Sequence, residues 1–140
     1  DHRCGLIAMR SRSAGGGLWM PPYDGAAEAD ASVLVAELRM LRQRLEDGGI
    51  AADRILLDPG FGFGTTFQED LALWNALPGL PAALGWPVER FCLGVSRKRF
   101  VARHFGADPQ LPPPERDPAT ARAHRQAQGW GYRVFRSHAV

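Results

Sequence analysis

The fold is decided by the stretch Ile55-Leu56-Leu57-Asp58-Pro59-Gly60-Phe61-Gly62-Phe63-Gly64. Its first three residues form a continuous apolar run ended by a turn signal, which is typical of a short strand buried on both faces. The run delivers one carboxylate, Asp58, and the glycines that follow allow positive φ angles and a close approach of the backbone to a ligand. This pattern indicates a pocket for a flat polar molecule. The stretch taken by itself is equally compatible with a tight strand-to-helix turn that Asp58 caps, with Phe61 and Phe63 in the core.

Apolar runs and helical patterns on either side of this stretch predict strands and helices in alternation. Strands are predicted at residues 4–9, 54–57, 90–95 and 132–135. Helices are predicted at residues 26–47, after a cap at Thr66, at residues 99–105 and at residues 119–128. The order β-α-β-α-β-α-β with buried strands favours a parallel sheet.

Punctuating residues set the expected helix boundaries. Asp24 is expected to cap the first helix, and Gly48-Gly49 is expected to end it. Pro78-Gly79 is expected to break the second helix. Asp117-Pro118 is expected to start the last helix, with the aspartate as cap and the proline in the first turn.

Polar clusters follow the last three predicted strands, beginning at Asp58, Ser96 and Arg136 at intervals of about 40 residues. In parallel sheets, ligands bind beyond the carboxyl ends of the strands, so the clusters predict one binding site at that edge. Four such units predict an α/β fold that is half of a TIM (β/α)8 barrel, formed by a single partial domain over residues 1–140. A small doubly wound sheet is the alternative.

Five side chains in these clusters can carry chemistry. Asp58 can accept two hydrogen bonds from a guanidine-like edge of a heterocycle, and Lys98, the only lysine in the chain, can donate to the same ring. Arg136 and His138 alternate along the last predicted strand, so their side chains point the same way and can grip an oxyanion or phosphate. Ser96 at a helix start can bind a carboxylate. These side chains could instead have only a structural role, at a solvated helix start, at a polar strand end or as a helix cap.

Composition narrows the classes of function. The chain has 17 basic and 15 acidic residues, a net charge of +2, which gives no indication of a nucleic-acid-binding surface. Cys4 and Cys92 lie in apolar contexts without a CxxC pattern, which predicts buried, reduced thiols of a cytoplasmic protein. No apolar run is long enough to span a membrane. Arg10 and Arg12 beside a glycine-rich loop could hold a phosphate.

Three motifs together resemble those of dihydropteroate synthase, a TIM-barrel family. The motifs are Asp58-Pro59-Gly60-Phe61-Gly62-Phe63-Gly64, Gly94-Val95-Ser96-Arg97-Lys98 and Arg136-Ser137-His138. They occur in the order, and at the spacing, of the motifs that end strands six, seven and eight of that family. Met9 and Pro22-Tyr23-Asp24 lie where the family has a related strand-five loop and helix start. The resemblance implies that the chain is the C-terminal half of a pterin-binding barrel.

The resemblance also implies a reaction and roles for the site residues. The family condenses 6-hydroxymethyl-7,8-dihydropterin pyrophosphate with 4-aminobenzoate, giving 7,8-dihydropteroate and pyrophosphate in folate biosynthesis. By resemblance, the pterin is bound by Asp58, Lys98, Met9 and Phe63, the 4-aminobenzoate by Phe63 and Ser96, and the pyrophosphate by Arg136 and His138. No nucleophilic residue is implied, because the protein orients two substrates and stabilises the departing charge. Mg²⁺ is implied as a cofactor, with its ligand in the half of the family that this chain lacks. A cytoplasmic location and, for full-length members, a homodimer are implied as well.

The sequence departs from the family pattern at several positions. Thr65 stands where the family usually carries a lysine, Ala8 where a histidine is usual, and Ala139 where an acidic residue is common. The first four strands of the family have no counterpart in this chain. We therefore expect little activity from the chain alone, and open sheet edges near Leu6 and Phe135 that promote association.

Two other functions fit parts of the pattern. One is the pterin-binding domain of a corrinoid methyltransferase, which also uses a barrel but transfers a methyl group. The basic motifs around Lys98 and Arg136 favour the synthase, because a pyrophosphate requires a basic grip. The other is a non-catalytic remnant that binds pterin or nothing, which the departures from the family pattern favour.

Overall fold

Parallel strands alternating with helices organise the chain in this computed structural model, which describes residues 4–14, 16–18, 20–24 and 29–138. The strands are β1 Leu6–Met9, β2 Ser13–Ala14, β3 Gly17–Leu18, β4 Ile55–Asp58, β5 Cys92–Leu93 and β6 Val134–Phe135. The helices are α1 Ala31–Asp47, α2 Phe67–Ala76, α3 Leu80–Leu84, α4 Arg99–His104 and α5 Asp117–Gly129. Short 3-10 turns lie at Ala52–Arg54, Leu77–Gly79, Val88–Arg90 and Pro113–Arg116. All four predicted strands are confirmed, and the β2–β3 hairpin is an addition that the sequence pattern does not predict.

The parallel strands follow one another in space in the order in which they occur in the chain. β1 pairs with β4, with Met9 opposite Asp58, and a parallel bridge joins Leu57 to Phe91 just before β5. β5 pairs in parallel with β6. The order β1-β4-β5-β6 has no reversal, whereas a doubly wound sheet reverses at a switch point. Within the described residues, the arrangement is therefore that of consecutive βα units of a barrel that does not close, with β1 and β6 as its outer strands.

The start of α1 differs from the prediction. Residues 26–28 of the predicted helix lie outside the described part of the chain. The helix is capped by Asp30, whose carboxylate accepts a hydrogen bond of 2.8 Å from the backbone N–H of Ser32. The prediction that Asp24 caps this helix is therefore wrong, because the Asp24 carboxylate binds Arg103 instead, at 2.8 Å.

The other helix boundaries are partly as predicted. Thr66 caps α2 through a capping box with Glu69, and Gly48 caps the end of α1. α2 ends at Ala76, so the break predicted at Pro78-Gly79 is confirmed, and Pro78 itself lies beyond this helix. It occupies the first turn of the 3-10 segment that leads into α3, where a missing backbone N–H costs no hydrogen bond.

The start of α5 also corrects the prediction. Asp117 is the first residue of the helix rather than its cap, and the N-cap residue Arg116 makes no side-chain cap bond. Pro118 lies in the first turn, as predicted. The Asp117 carboxylate instead binds the guanidinium of Arg97.

Aromatic rings form the centre of the core beneath the loop that follows β4. The ring of Phe61 stacks on that of Phe100 with centroids 5.0 Å apart, and the ring of Trp74 packs edge-on against Phe61 at 6.2 Å. Trp74 and Trp86 are both buried, as predicted. One ring of the glycine-aromatic loop is therefore a core residue, as the structural alternative for that stretch expected.

The amino-terminal strand is less buried than predicted. Leu6 and Ile7 are 37% and 50% exposed, whereas Ala8 is buried. The prediction of a buried Cys4 is wrong, since this residue is exposed, and the prediction for Cys92 is confirmed. The physical reason is that β1 is an outer strand, so part of its surface has no neighbour to cover it.

We expect the chain to associate through this strand as its concentration rises, because an exposed apolar edge offers free backbone hydrogen-bonding groups to a second strand. The change Ile7→Lys places a charge on the edge and should shift the size-exclusion profile towards the monomer. Val33→Lys is the matched control, because Val33 is 52% exposed but lies on a helix. A wild-type chain that stays a monodisperse monomer at all concentrations would contradict this expectation.

We expect Phe61→Ala to lower the free energy of unfolding by about 3–4 kcal/mol, because it leaves a cavity between two other rings in the core. Met40→Ala, at a position that is 56% exposed, should change it by less than about 0.5 kcal/mol. Urea unfolding followed by tryptophan fluorescence at low protein concentration measures both. Similar losses for the two variants would show that Phe61 is not a core residue.

Candidate active site

The turn after β4 requires glycine at its second position. Gly60 has a φ of +75°, and a Cβ atom built there would lie 1.8 Å from the carbonyl oxygen of Arg10. Arg10 in turn donates its backbone N–H to the Asp58 carbonyl at 3.0 Å. Its guanidinium donates to the carbonyls of Pro59 and Gly60, both at 2.8 Å. The segment after β1 thus fixes the turn that follows β4.

The two arginines of the glycine-rich loop are engaged by carboxylates. Arg10 pairs with Glu37 at 3.1 Å, and Arg12 pairs with Glu37 at 2.8 Å and with Glu69 at 2.6 Å. Burial lowers the pKa of the Arg10 guanidinium, and the charge of Glu37 opposes this shift. The structure uses both arginines to hold the loops together, which does not support the interpretation that they hold a phosphate.

The carboxylate of Asp58 lies at the base of the site and is fully buried. Its Oδ1 accepts a hydrogen bond of 2.9 Å from the Gly60 backbone N–H, and its Oδ2 accepts one of 2.8 Å from Arg136 Nη2. Gly94 makes room for this ion pair, because a Cβ atom there would lie 2.6 Å from Arg136 Nη2. The pair joins two residues that the sequence assigns to different parts of a substrate. Their separation of 78 residues gives no local signal of the contact.

Lys98 lies against the glycine-aromatic loop. Its Nζ is 4.2 Å from the centroid of the Phe63 ring, close enough for a cation–π contact. A Cβ atom built on Gly62 would lie 3.5 Å from the same Nζ, an ordinary van der Waals distance, so the ammonium group lies next to this part of the loop. Burial lowers the pKa of Lys98, and the negative charges of Asp70 and Asp58 oppose this shift.

Ser96 and His138 contact each other across the site. The Ser96 hydroxyl oxygen accepts a hydrogen bond of 3.2 Å from the His138 backbone N–H and lies 3.1 Å from His138 Nδ1. Ser96 is buried and precedes α4 by three positions, so it is not a helix cap. Arg136 and His138 lie beyond β6 rather than alternating within it, because this strand ends at Phe135.

Arg97 is a residue of the site region for which sequence reasoning gave no role. With a φ of +58°, it is the only non-glycine residue with a positive φ in the described part of the chain. Its backbone N–H donates to Thr120 Oγ1 at 2.9 Å, and its guanidinium binds both carboxylate oxygens of Asp117 at 2.8 and 2.9 Å. These contacts with α5 hold the strained turn that separates Ser96 from Lys98. No local signal of this role was available, because Asp117 is 20 residues away along the chain and the fold brings it to Arg97.

One cavity of about 330 Å³ brings the predicted site residues together. It is lined by Phe63, Gly94, Ser96, Lys98, Arg136, Ser137 and His138. Asp58 does not line this cavity but is bonded to Arg136, which does. The Met9 sulfur lies 3.4 Å from Arg136 Nη2. A second cavity, of about 170 Å³, shares Lys98 with the first. The geometry combines an aromatic face with basic side chains, which suits a flat ring joined to an anion.

The consecutive parallel βα units and the basic cavity at the carboxyl ends of their strands define a protein of the barrel-enzyme class. The sequence model of the family described as pterin binding enzyme matches residues 1–138. The chain therefore belongs to the pterin binding enzyme family.

Relatives and solved structures agree with this assignment. A dihydropteroate synthase of Mycobacterium leprae is 40% identical over 122 residues, which cover 81% of this chain and 40% of the relative. Two structures of Xanthomonas albilineans dihydropteroate synthase match 97% of this chain. The one with 4-aminobenzoic acid has 30% identity and a TM-score of 0.73 over 44% of its length. The one with 7,8-dihydropteroate has 29% identity and a TM-score of 0.72 over 45% of its length. The chain thus spans about half the length, or less, of the proteins it matches.

Two further features concern only the part of the chain that the structure describes. Within it, no group of three or more histidine, cysteine, aspartate or glutamate side chains could hold a metal ion. No helix within it is both long enough and apolar enough to cross a membrane.

We expect Arg136→Met to lower the free energy of unfolding by about 2 kcal/mol, because it removes the partner of a buried carboxylate oxygen. The same change in an Asp58→Asn background should cost much less, because no buried charge is left unpaired. A double-mutant cycle by urea unfolding gives the coupling energy and cancels the lost packing of the arginine stem. Equal costs in the two backgrounds would contradict a stabilising Asp58–Arg136 pair.

Proposed function

We propose that the chain forms the C-terminal half of the active site of a dihydropteroate synthase in folate biosynthesis, as a single partial domain over residues 1–140. In the proposed reaction, the amino nitrogen of 4-aminobenzoate attacks the methylene carbon of 6-hydroxymethyl-7,8-dihydropterin pyrophosphate. The bond from this carbon to the pyrophosphate oxygen breaks, and the amine loses a proton. The products are 7,8-dihydropteroate and pyrophosphate. Support comes from the names of the relatives and from the two molecules bound to the Xanthomonas albilineans proteins.

The observation that carries the proposal is the joint lining of one cavity by Phe63, Lys98, Arg136 and His138. A planar ring can lie against the Phe63 face while Lys98 donates to its polar edge. Basic groups at the other side can bind a pyrophosphate and stabilise the negative charge that it gains on departure. A pocket for an uncharged leaving group would not need these charges.

The proposed pterin contacts involve an exchange of partners at Asp58. The guanidine-like edge of the pterin would replace Arg136 at Asp58 Oδ2, and Met9 and Phe63 would contact the ring. Because the incoming N–H groups replace the guanidinium, the buried carboxylate keeps its hydrogen bonds. Arg136, which is 50% exposed on its side chain, would then turn towards the pyrophosphate beside His138.

Phe63 and Ser96 are the proposed contacts for 4-aminobenzoate. The Ser96 hydroxyl accepts the backbone N–H of His138 and can donate its own proton to His138 Nδ1 or to a substrate carboxylate. The same serine would therefore connect the acceptor substrate with the pyrophosphate-binding side of the cavity.

Mg²⁺ belongs to the proposal, although the described part of the chain contains no group of three or more histidine, cysteine, aspartate or glutamate side chains that could hold it. Both oxygens of Asp58 accept hydrogen bonds, from Gly60 and Arg136, and the proposed replacement for Arg136 is the pterin edge. The ion would need ligands from the part of the relatives that this chain does not match. When bound, Mg²⁺ would supply positive charge that stabilises the negative charge of the pyrophosphate.

The proposal also includes a cytoplasmic location and, for full-length relatives, a homodimer. The location is supported by the two cysteines, Cys4 and Cys92, which are not joined in a disulfide.

We expect isothermal titration calorimetry to show binding of the pterin pyrophosphate to the chain, with little release of pyrophosphate when 4-aminobenzoate is added. Asp58→Asn should weaken binding at least about tenfold, because it removes a charge-assisted acceptor for the pterin edge. Glu89→Gln, a change at an exposed position before β5, is the matched control and should leave binding unchanged.

The other two functions predict different results in the same titrations. A non-catalytic remnant that binds nothing would give no heat with either substrate. The pterin-binding domain of a corrinoid methyltransferase would bind a pterin without pyrophosphate as well as one with it. The proposal expects His138→Ala to weaken the binding of the pterin that carries pyrophosphate and to leave the binding of the pterin without it unchanged. An unchanged affinity for pterin in Asp58→Asn would overturn the role given to Asp58.

A further inference from the structure

A second buried carboxylate, that of Asp70, lies behind the glycine-aromatic loop and takes no part in the roles proposed above. Asp70 is in the first turn of α2 and is only 3% exposed. Its Oδ1 accepts two hydrogen bonds, one of 3.0 Å from the Gly62 backbone N–H and one of 2.7 Å from Thr65 Oγ1. One oxygen of this carboxylate therefore holds the loop, and Asp70 lines the second cavity together with Gly62, Thr65 and Lys98.

Gly62 connects Asp70 to Lys98. The amide of Gly62 is bound to Asp70, while its α-carbon faces the lysine, since a Cβ atom there would meet Lys98 Nζ at 3.5 Å. The next residue, Phe63, presents its ring to the same Nζ at 4.2 Å. The Asp70 hydrogen bond thus fixes the segment that forms one wall around the ammonium group.

The charges around both groups can be named from the structure. Asp70 is faced by Arg10 and Lys98, but the Arg10 guanidinium is committed to Glu37 and to the loop carbonyls. Lys98 is faced by Asp70, Arg136 and Asp58. Since Asp58 and Arg136 neutralise each other, Asp70 supplies the unbalanced negative charge near the ammonium group.

Titration behaviour agrees with this geometry. Burial raises the pKa of Asp70 to about 6, and the hydrogen bonds from Thr65 and Gly62 oppose the shift. The Asp70 charge also opposes the lowering of the Lys98 pKa by burial. In the alkaline range where a lysine loses its proton, Asp70 is fully ionised.

We propose that Asp70 is a positioning residue of this site: its carboxylate holds the Gly62 amide in place, and its charge stabilises the ammonium form of Lys98 against the Phe63 ring. Any effect of Asp70 on pterin binding rests on the proposed function, whereas its contact with Gly62 and its effect on the Lys98 charge do not. The hydroxyl of Thr65 orients the Asp70 carboxylate. Thr65 stands where dihydropteroate synthases usually carry a lysine.

The test uses the fact that Lys98 is the only lysine. Competitive labelling with an amine-reactive anhydride across a pH series, read by mass spectrometry at low protein concentration, gives the midpoint at which Lys98 loses its proton. The α-amino group of the same chain is the internal reference. No ligand is needed, so the result does not depend on whether pterin binds.

We expect Asp70→Asn to lower the labelling midpoint of Lys98 by about one pH unit, the size expected when a nearby opposite charge is removed. Asparagine keeps an oxygen that can accept both hydrogen bonds, so the loop geometry is retained. Asp70→Ser supplies a second uncharged variant, for which the same direction of shift is expected. Glu89→Gln, which removes a carboxylate at an exposed position before β5, should leave the midpoint unchanged.

Thr65→Val separates charge from packing. It removes the Thr65 hydroxyl, which donates to Asp70 and accepts the Gly62 N–H, but keeps the Asp70 carboxylate, so the Lys98 midpoint should stay at the wild-type value. A shift in Thr65→Val as large as that in Asp70→Asn would show that loop packing, and not the Asp70 charge, controls Lys98. An unchanged midpoint in the folded Asp70→Asn and Asp70→Ser variants would also overturn the proposal.

Discussion

The rest of the site depends on the buried carboxylate at the tip of β4. An ionised group that is removed from water is stable only when its oxygens are satisfied, and here one backbone N–H and one guanidinium do so. Each partner imposes its own condition. The N–H of Gly60 requires a turn with a positive φ, and the guanidinium of Arg136 requires a glycine at position 94. The turn after β4 and the segment after β6 are thereby both held by the Asp58 carboxylate.

The glycine-aromatic loop is held from two sides by opposite charges. Arg10 binds its carbonyl oxygens, and Asp70 binds one of its amides. This arrangement lets two aromatic residues that are one position apart take different roles. Phe61 turns into the core and stacks on another ring, whereas Phe63 is only half-buried and faces Lys98. The turn over the core is confirmed for Phe61, whereas the pocket for a flat molecule stays a prediction, supported by the place of Phe63 in the cavity wall.

Much of the site could be predicted because it lies at strand ends. Parallel strands bring their carboxyl ends to one edge, so Asp58, Lys98 and Arg136 could be placed near one another from their spacing alone. Helix boundaries were less predictable. Asp24 and Asp117 both carry the signal of a cap, but Asp24 binds Arg103 and Asp117 binds Arg97. A capping signal is local, whereas the competing arginine is brought in by the fold.

The sequence by itself determined the order of the βα units, the family, and the set of residues that meet at the carboxyl edge, because these follow from hydrophobic periodicity and from short motifs in a fixed order. The tertiary structure alone decided how those residues pair. The Asp58–Arg136 ion pair, the contact of Ser96 with His138 and the hold of Asp70 on Gly62 join positions whose partners only packing can select. The physical reason is that a buried charge binds whichever opposite charge or N–H group the folded chain places within about 3 Å, and that choice leaves no trace in local sequence.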